Sequence, residues 1–409
     1  MSFAATRLAA VKPSASAWVS QAAKAARARG EDVIELGLGE ADFDTPSDII
    51  DAAHAAAKAG ETRYPPTDGT ARLKAAVVAK FASENGLTYG LSQVIVSNGA
   101  KQVIFNAMMA TLEAGDEVIL PAPYFGPYKD IVLILGGVPV AVPCPAEDGF
   151  RLTTERLRGA ISKNTRWVFL NLPSNPAGAV YADDDLVNLG AVLADHPRVL
   201  TLSDEIYEHI LFDGRKFKSF AAACPDLNDR ILTVNGVSKA YAMTGWRIGY
   251  GAGHPDLISA MTKVQSQISS GACAIAQAAA AAAMEGPQDD VRRFCNAFEA
   301  RRDLVVAKVA QIDGLTLNAP GGAFYAFIGC DALIGAKTPD GTIIENDADV
   351  TAWLLKAGGI AAVPGSAYDL SPFFRISTAA SEAVLAKAMD RIAAAVGMLD
   401  RGPETGVTT

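Results

Sequence analysis

Cysteine and histidine are both scarce in this chain of 409 residues, which contains five cysteines and four histidines. The cysteines are widely scattered and odd in number, and none of them belongs to a Cys-x-x-Cys pair. No two histidines stand at the spacing of metal ligands either, so the sequence predicts neither a disulfide framework nor a metal site. This cysteine usage favours a reducing cytoplasm as the compartment of the protein.

Excess positive charge and a long apolar run are absent as well. The 45 acidic residues outnumber the 36 lysines and arginines, which gives a formal net charge of −9. The average surface would therefore repel a nucleic acid or an anionic membrane, and an acidic substrate would need a local cationic pocket. The longest apolar run, residues 272–284, is alanine-rich and too short to span a bilayer, so we predict a buried helix there.

Half of the residues are hydrophobic, and apolar runs of strand length alternate with helical patterns through the middle of the chain. The predicted strands are residues 93–97, 117–120, 137–142, 166–171, 199–203, 231–234 and 248–252. The predicted helices include residues 101–113, 124–135 and 183–195, and a long charged helix over 289–312. This alternation predicts an α/β domain on a largely parallel sheet, followed by a smaller α+β unit.

Ligands of open α/β sheets bind beyond the carboxyl ends of the strands, and several polar motifs of this chain follow predicted strands. In SDEIYEH, Asp204 ends an apolar strand, where an isolated buried carboxylate would be costly. It either caps a following helix or holds a cationic partner such as a protonated pyridine nitrogen. Tyr207, which we place one helical turn later, would direct its hydroxyl to the same place.

The segment SNGAKQVIFNAMM runs from strand to helix through a turn of small residues. The backbone N–H groups of Gly99, Ala100 and Lys101 would be unpaired at the helix start and could bind a phosphate, although a plain tight turn explains the pattern equally well. In VNGVSKAYAMTGWRIGY, Lys239 and Arg247 stand among apolar residues without acidic neighbours, and we expect both to enter the interior. Arg247 would either clamp phosphate oxygens or form a structural ion pair.

Two further motifs present groups that suit a ligand oxygen or a carboxylate. In NLPSNPAG, Asn175 either belongs to an irregular turn or presents its amide to a ligand oxygen, and its bond to Pro176 is a candidate cis peptide. In PFFRISTAAS, Arg375 lies between aromatic and aliphatic residues, which is a poor environment for a solvated charge. Its guanidinium matches the geometry of a carboxylate, with a structural salt bridge as the alternative.

Taken in order, these motifs resemble those of the class I aminotransferases of fold type I, which use pyridoxal 5′-phosphate (PLP), and most of all the bacterial aspartate aminotransferases. The resemblance covers nearly the whole chain, through KPSAS at Lys12, GEADFDTP, RYPPTDGT, NGAKQVIFN, PAPYFGPY, NLPSNPAGAVY, SDEIYEH, NGVSKAYAMTGWRIGY, PGGAFY and FFRISTAAS. It implies a large domain, residues 46–310, with a mostly parallel seven-stranded sheet flanked by helices. A smaller α+β domain would combine residues 1–45 and 311–409.

The resemblance also implies how the residues would treat the cofactor ring. Lys239 would form the Schiff base with PLP and then serve as general base and acid, while Asp204 would pair with the pyridinium nitrogen. Tyr207 and Asn175 would bond the phenolic oxygen of the ring. Phe125 would stack on the ring.

The resemblance further implies how the phosphate and the substrate would be held. The phosphate would lie against Arg247 and the turn of residues 99–101, with Tyr64 reaching it from the partner subunit of a homodimer. Arg375, Asn175 and the backbone of Gly39 would hold the α-carboxylate of the substrate. No nucleic acid or membrane would be a partner.

Lys101 is the best indication of the substrate side chain. The resembling subgroup associates this position with the distal carboxylate of aspartate or glutamate, although a solvated lysine in the first helical turn is the alternative. We therefore expect L-aspartate and 2-oxoglutarate as substrates in a ping-pong transamination. The family pattern is broken at Ala41, Phe125, Ser174 and Ala177, which removes no catalytic group but leaves the exact substrate open.

Four other functions are alternatives. An aminotransferase of the same family could act on aromatic amino acids or prephenate, and a PLP-dependent lyase could break a different bond at the substrate Cα. A PLP-binding regulator would need a DNA-binding module, for which the chain has neither the length nor a basic helix-turn-helix segment. A nicotinamide-dependent enzyme is disfavoured because no Gly-x-Gly-x-x-Gly follows the first predicted strand.

Overall fold

The computed structural model describes residues 3–11 and 13–401. Lys12 of the KPSAS motif and the outermost ends of the predicted small domain, residues 1–2 and 402–409, lie outside the described residues. Within the described part the helices are α1 (Ala15–Ala28), α2 (Ser47–Lys58), α3 (Ala71–Asn85), α4 (Ala100–Thr111), α5 (Pro127–Ile134), α6 (Thr154–Ala160), α7 (Asp183–Ala194), α8 (Phe220–Ala223), α9 (Pro255–Ile268), α10 (Ala274–Glu285), α11 (Asp289–Val309), α12 (Asp347–Gly358) and α13 (Glu382–Gly397).

The strands of the described chain are arranged in one large sheet and two small ones. They are β1 (Ile34–Glu35), β2 (Val94–Ser97), β3 (Glu117–Ala122), β4 (Val138–Pro143), β5 (Thr165–Asn171), β6 (Leu200–Asp204), β7 (Ile231–Gly236), β8 (Gly249–Ala252), β9 (Tyr325–Gly329), β10 (Ile360–Ala361), β11 (Val363–Pro364) and β12 (Phe373–Ser377). The large sheet has the strand order β2-β8-β7-β6-β5-β3-β4. It is parallel except for β8, which runs antiparallel to both of its neighbours.

The predicted fold class is confirmed, because the seven predicted strands are the seven strands of this sheet, with ends displaced by one or two residues. Their apolar character follows from burial on both faces. In β5, for example, Trp167, Val168, Phe169 and Leu170 are all nearly inaccessible to solvent. Helices between the strands supply the cover, as expected for a sheet of parallel strands.

The predicted helices are confirmed as well. The alanine-rich run forms α10, whose small side chains allow close packing against α2 and α3. The long charged run forms α11, in which Phe294, Phe298 and Val305 are buried together with Arg301 and Arg302, while its other charged residues are at least partly exposed. Among the residues that the structure describes, no helix combines the length and the apolar character needed to cross a bilayer.

The predicted helix after Asp204 is wrong. Residues 206–209 form a turn, so Tyr207 does not follow Asp204 by a helical turn, and Asp204 caps no helix. The physical reason is that the polar side chains after Asp204 bond to partners in different parts of the fold. Glu205 bonds to Ser219, while Glu208 forms a buried ion pair with Lys80 on α3, and one helix cannot satisfy both from neighbouring positions.

The end of the chain builds a second core. Strands β11, β12 and β9 form an antiparallel sheet, and β1 pairs with β10, so that the segment before α2 joins the C-terminal unit. Leu36 packs there with residues of α11, α12 and α13. This arrangement supports the division into a domain of residues 46–310 and one of residues 1–45 and 311–409, whose boundaries stay a prediction.

Candidate active site

A cavity of about 420 Å³ lies beyond the carboxyl ends of β2, β5, β6 and β7, where the sequence places its polar motifs. Ten of the twelve predicted site residues line it: Gly39, Ala100, Lys101, Phe125, Asn175, Asp204, Tyr207, Lys239, Arg247 and Arg375. The other two, Gly99 and Tyr64, are not part of its wall. Residues from Gly39 to Arg375, near opposite ends of the chain, are thus brought to one edge of the sheet, as expected for an α/β fold.

Asp204 ends β6 and is fully enclosed by protein. One carboxylate oxygen, Oδ2, accepts a hydrogen bond of 2.5 Å from the hydroxyl of Tyr128, and the other accepts one of 3.3 Å from the Ile206 amide. Burial raises the pKa of Asp204 to about 6, although the bond from Tyr128 and the positive charge of Lys239 act in the opposite direction. The carboxylate is therefore charged at neutral pH only at a cost, which a cationic ligand would offset.

Tyr207 is buried beside Asp204 and shares a hydrogen bond of 2.8 Å with the hydroxyl of Tyr325. Burial, reinforced by Tyr325, raises the pKa of Tyr207 well above its usual value. The phenol is therefore protonated throughout the physiological range and can donate a hydrogen bond to an oxygen in the cavity.

Lys239 follows β7 and extends into the cavity. Its Nζ donates a hydrogen bond of 2.6 Å to the carbonyl oxygen of Gly39 and lies 5.8 Å from the ring centre of Tyr207 and 5.7 Å from that of Phe324. No carboxylate forms a salt bridge with this ammonium among the described residues. Lys239 is half-buried, which agrees with the expectation that it points inward.

The strand-to-helix turn is formed as predicted, with Gly99 preceding α4 at a φ of +87°. The expectation that the Gly99 N–H is unpaired is wrong, because the tight turn lets it donate to the Ser97 carbonyl oxygen at 2.8 Å. A Cβ at Gly99 would collide with the guanidinium of Arg247, so glycine allows the arginine to lie directly against the turn. The expectation that Arg247 enters the interior is wrong. It is exposed at the rim of the cavity, where it donates to the carbonyl oxygens of Thr244 (2.9 Å) and Asn98 (3.3 Å).

The physical reason for the exposure of Arg247 lies in the backbone. The residue has a φ of +59° and follows a short turn over 244–246, two residues before the buried strand β8 begins. The apolar residues after it lead into that strand, while Arg247 itself stays at the surface. No ion pair joins Arg247 to an acid among the described residues, so its guanidinium keeps donors for an external anion.

Arg375 in β12 is almost completely buried. Its Nη1 donates to Oδ1 of Asn175 at 3.0 Å and its Nη2 to the carbonyl oxygen of Gly37 at 2.5 Å, while Nε has no hydrogen-bond partner in the described chain. The guanidinium also lies 4.5 Å from the ring centre of Tyr325. These acceptors are neutral, so the structural salt bridge considered as an alternative is wrong, and a buried positive charge is left for a carboxylate.

Asn175 is buried in the loop after β5, and the loop itself is held by Asn171. The backbone N–H of Asn175 donates to Oδ1 of Asn171 at 2.7 Å, and Nδ2 of Asn171 donates to the carbonyl oxygen of Asp204 at 2.9 Å. The bond between Asn175 and Pro176 is cis, as the sequence suggested. The irregular turn is therefore confirmed, and Asn175 also lines the cavity, while its hydrogen bond to a ligand oxygen stays a prediction.

Lys101 and Phe125 form the mouth of the cavity. Lys101 is exposed in the first turn of α4, with its Nζ 5.4 Å from the ring centre of Phe125. Partial desolvation of its ammonium, followed by the charges of Arg247 and Lys239, lowers the pKa of Lys101. No hydrogen bond or salt bridge partner is found for it in the part of the chain that the structure describes, so its charge is open to a ligand.

Tyr64 is 94% exposed and lies outside the cavity. Its expected role depends on a second subunit, and one chain does not test it.

Sequence reasoning missed other polar residues of the wall, among them Tyr128, Ser238, Thr244 and Tyr325. Tyr325 stands in the motif PGGAFY and Tyr128 in PAPYFGPY, both of which were recognised as motifs without a role for the tyrosine. The hydroxyl of Tyr325 contacts Tyr207 and the hydroxyl of Tyr128 contacts Asp204, in both cases far away in the sequence, so no local sequence pattern predicts these contacts.

The donor set fits PLP. A buried carboxylate at Asp204 suits a protonated ring nitrogen, and the protonated Tyr207 suits a ring oxygen. The uncrowded start of α4 beside Arg247 suits a phosphate, and Lys239 supplies an amine between these groups.

One acidic cluster lies apart from this cavity. Ligand atoms of Glu84, Glu208 and His209 lie within 4.8 Å of one another. The ammonium of Lys80 already forms salt bridges with both glutamates, and Glu208 also accepts from Asn235 at 2.7 Å. One ammonium therefore pairs with two carboxylates, of which Glu208 is buried and Glu84 is exposed, and the cluster is a polar network that reaches the surface.

The comparisons with known proteins agree with this geometry. The family model "Aminotransferase class I and II" matches residues 31–392. The aspartate aminotransferase of Rhizobium meliloti (strain 1021) is 53% identical over 92% of this chain and 92% of its own length. A probable aspartate/prephenate aminotransferase of Rickettsia bellii is 48% identical over 98% of this chain and 100% of its own. The crystal structure of the Rhizobium meliloti aspartate aminotransferase superposes with a TM-score of 0.95 at 51% identity, covering 98% of this chain and 100% of that one.

Proposed function

The chain belongs to the class I and II aminotransferases and is a PLP-dependent aminotransferase, and from this premise we propose that it moves the amino group of L-aspartate, or a related acidic amino acid, to 2-oxoglutarate. One site serves both the donor and the acceptor, so the two half-reactions follow one another in a ping-pong sequence. Three groups of cavity residues support the proposal: those that bind the cofactor ring, the one that moves the proton of the substrate Cα, and those that bind the carboxylates of the substrate.

Asp204 and Tyr207 tune the cofactor. PLP, when bound, supplies an electron sink for the charge that develops at the substrate Cα. The carboxylate of Asp204 keeps a proton on the ring nitrogen, which is the condition under which the ring withdraws electrons well. The Tyr207 hydroxyl would donate to the ring oxygen, and Arg247 with the N–H groups of Ala100 and Lys101 would hold the phosphate.

Lys239 moves the proton. Nζ of Lys239 would hold the cofactor, as the family membership implies. While its amine is free, Lys239 would remove the proton from the substrate Cα as general base and deliver it to C4′ of the cofactor as general acid. Its neighbours in the cavity are aromatic rings and a carbonyl oxygen, so no fixed carboxylate competes for it.

Arg375 and Lys101 account for the two carboxylates of the substrate. Arg375 has a free Nε and neutral partners, and we assign to it, with Asn175 and the backbone of Gly39, the α-carboxylate. Lys101 stands at the cavity mouth without an ion-pair partner in the described chain, and we assign to it the distal carboxylate. Two uncompensated cations in the same cavity are the observation that carries the preference for a dicarboxylic substrate.

A donor screen with 2-oxoglutarate on wild type and two lysine variants tests this specificity. In Lys101→Ala we expect the KM for aspartate to rise about tenfold or more, because a partly desolvated ion pair is lost, while the KM for a monocarboxylic donor such as phenylalanine changes little. Lys163→Ala serves as the control, since it removes the same charge from an exposed position far from the cavity wall. Equal effects of Lys101→Ala on both donors would reject the role of Lys101.

A second candidate is transamination of prephenate or an aromatic amino acid. The relatives named aspartate/prephenate aminotransferase favour it, as does the phenylalanine at position 125 in the cavity wall. The same donor screen separates the two proposals, because a dual enzyme would also use prephenate as acceptor with aspartate as donor. Formation of pyruvate and ammonia without any oxo acid would instead indicate a lyase.

We also propose that the enzyme is a homodimer with shared active sites and that it works in the cytoplasm. The dimer is supported by Tyr64, which is exposed on one chain although the family places this tyrosine at the phosphate of the partner subunit. The cytoplasm is supported by the five cysteines, all free thiols, of which three are buried. Sedimentation and cell fractionation check the two statements.

A further inference from the structure

Residues 37–46, here called the strap, connect β1 to α2 without forming a helix or a strand. Such a segment has no backbone ladder of its own, so its position depends on contacts with other parts of the fold. Its inner side touches the two cationic residues at the centre of the cavity, and its outer side is clamped to α11.

The inner contacts of the strap are backbone carbonyls. The Gly37 oxygen accepts from Nη2 of Arg375 at 2.5 Å, and the Gly39 oxygen accepts from Nζ of Lys239 at 2.6 Å. Both glycines are needed for this close approach, since a Cβ at Gly37 would lie 2.8 Å from Cγ1 of Val19 and one at Gly39 would collide with the hydroxyl of Tyr325. A small shift of the strap would therefore displace the acceptors of both cations.

The outer contact is a forked ion pair. Nη1 and Nη2 of Arg301 in α11 donate to the two carboxylate oxygens of Asp42 at 2.7 and 3.0 Å. The guanidinium also lies 4.8 Å from the ring centre of Phe43, and that ring stacks on Phe294 at 4.3 Å. Arg301 is buried, whereas Asp42 is exposed, and the two parallel hydrogen bonds fix the relative orientation of the two side chains better than a single bond would.

We propose that Arg301 is a positioning residue for substrate binding, because it holds Asp42 and thereby fixes the strap against Arg375 and Lys239. Arg301 does not line the cavity and acts only through the strap. The inference rests on the proposed function, in which Arg375 and the backbone of Gly39 hold the α-carboxylate. Lysine in place of Arg301 keeps the charge but loses the fork and the stacking on Phe43, so the strap should stay attached but move.

The neighbouring residue in α11 offers a matched control. Arg302 is as buried as Arg301 and also makes a forked ion pair, with Asp213 at 3.2 and 2.7 Å, and lies 4.8 Å from the ring centre of Phe212. It further donates to the Pro320 carbonyl oxygen. Neither Asp213 nor Pro320 lines the cavity, so Arg302→Lys disturbs the same helix and the same kind of contact without touching the strap.

The test compares Arg301→Lys, Asp42→Asn and Arg302→Lys as PLP-loaded proteins. Maleate, a dicarboxylate that carries no amino or oxo group to react, is titrated by calorimetry, and KM and kcat are measured with aspartate. In Arg301→Lys and Asp42→Asn we expect the Kd of maleate and the KM of aspartate to rise about tenfold, with a smaller change in kcat, since a displacement of binding groups by a fraction of an ångström has effects of this size. Arg302→Lys should lower Tm but leave the Kd of maleate within about twofold of wild type.

The outcomes separate this inference from the proposed function. If wild type neither binds maleate nor uses aspartate, the proposed function fails. If wild type does both but Arg301→Lys and Arg302→Lys change the Kd of maleate equally, or Arg301→Lys leaves it unchanged, the positioning role of Arg301 is overturned. Asp42→Asn keeps the inference testable if Arg301→Lys does not fold, because it preserves the arginine and the shape of its partner.

Discussion

The buried carboxylate of Asp204, which lines the active-site cavity, lowers the stability of the cofactor-free protein at neutral pH. Asp204 has a pKa of about 6 in the folded chain, against an ordinary value of 3.8, because burial penalises its charge. Between these two pH values the folded state binds more protons at this site than the unfolded state does. The stability of the cofactor-free protein therefore falls as the pH rises from about 4 to about 6, and the cost is fully present at neutral pH.

Replacing this carboxylate should remove the pH-dependent cost. In cofactor-free Asp204→Asn we expect the free energy of unfolding, relative to wild type, to increase by about 2 to 3 kcal/mol between pH 4 and pH 7. At pH 4 the variant should be slightly less stable, since an amide offers one oxygen where Tyr128 and Ile206 use two. Urea unfolding at several pH values measures the difference, with the exposed Asp226→Asn as control. A difference that does not vary with pH would contradict the assigned pKa.

Residues whose chemistry is unusual for their surroundings were predictable from the sequence, and residues that support them were not. Lys239, Asp204 and Arg375 stand out because a charge in an apolar run requires an explanation. Tyr128 and Tyr325 stand in aromatic-rich segments, where a tyrosine is ordinary. The hydroxyl of Tyr128 bonds to Asp204, 76 positions away, and that of Tyr325 bonds to Tyr207, 118 positions away, so these contacts are seen only in the folded chain.

At the scale of elements, the turn between β2 and α4 needs Gly99 for two reasons, namely its positive φ and the space that the missing side chain leaves for Arg247. In Gly99→Ala the new Cβ would displace the Arg247 guanidinium from the helix start, so we expect the Kd for PLP to rise at least about tenfold by equilibrium dialysis. Gly86→Ala is the matched control, because Gly86 also has a positive φ, of +67°, but its Cβ would meet nothing within 4 Å. It should cost about 1 kcal/mol of stability and leave PLP affinity unchanged. Equal PLP affinities of the two variants would argue against a phosphate at this turn.

Elements were predictable where burial is uniform and not where it varies from residue to residue. The inner strands of the large sheet are mostly buried on both faces and read as apolar runs, so their positions could be predicted within two residues. The edge strand β4 is partly exposed, but its sequence is an apolar run as well. Residues 205–208 are also buried, but their polar side chains bond to different neighbours, and this forces a turn where capping and spacing suggested a helix. Arg247 was misplaced for the related reason that its apolar neighbours belong to β8.

At the scale of the whole molecule, one predicted site residue is left far from the site. Tyr64 is 94% exposed, while the following Pro65 and Pro66 are fixed against Gly271, where a Cβ would lie 2.6 Å from the Pro66 oxygen. Tyr64 therefore lies next to a well-anchored segment, but its side chain makes no hydrogen bond or ring contact with the described residues of its own chain. A single sequence cannot say which copy of the chain such a residue serves, but a homodimer with crossed active sites gives it a phosphate to bind.

Mixed dimers decide whether Tyr64 acts in the partner subunit. When Lys239→Ala and Tyr64→Ala chains are co-expressed in equal amounts, half of the dimers are mixed, and in each of these one site combines an intact Lys239 with an intact Tyr64 from the other chain. We therefore expect about a quarter of wild-type aspartate aminotransferase activity, well above either parental variant. If Tyr64 instead served its own subunit, every site of a mixed dimer would carry one of the two defects. Activity no higher than the average of the two parental proteins would then exclude a shared active site, whatever the oligomeric state.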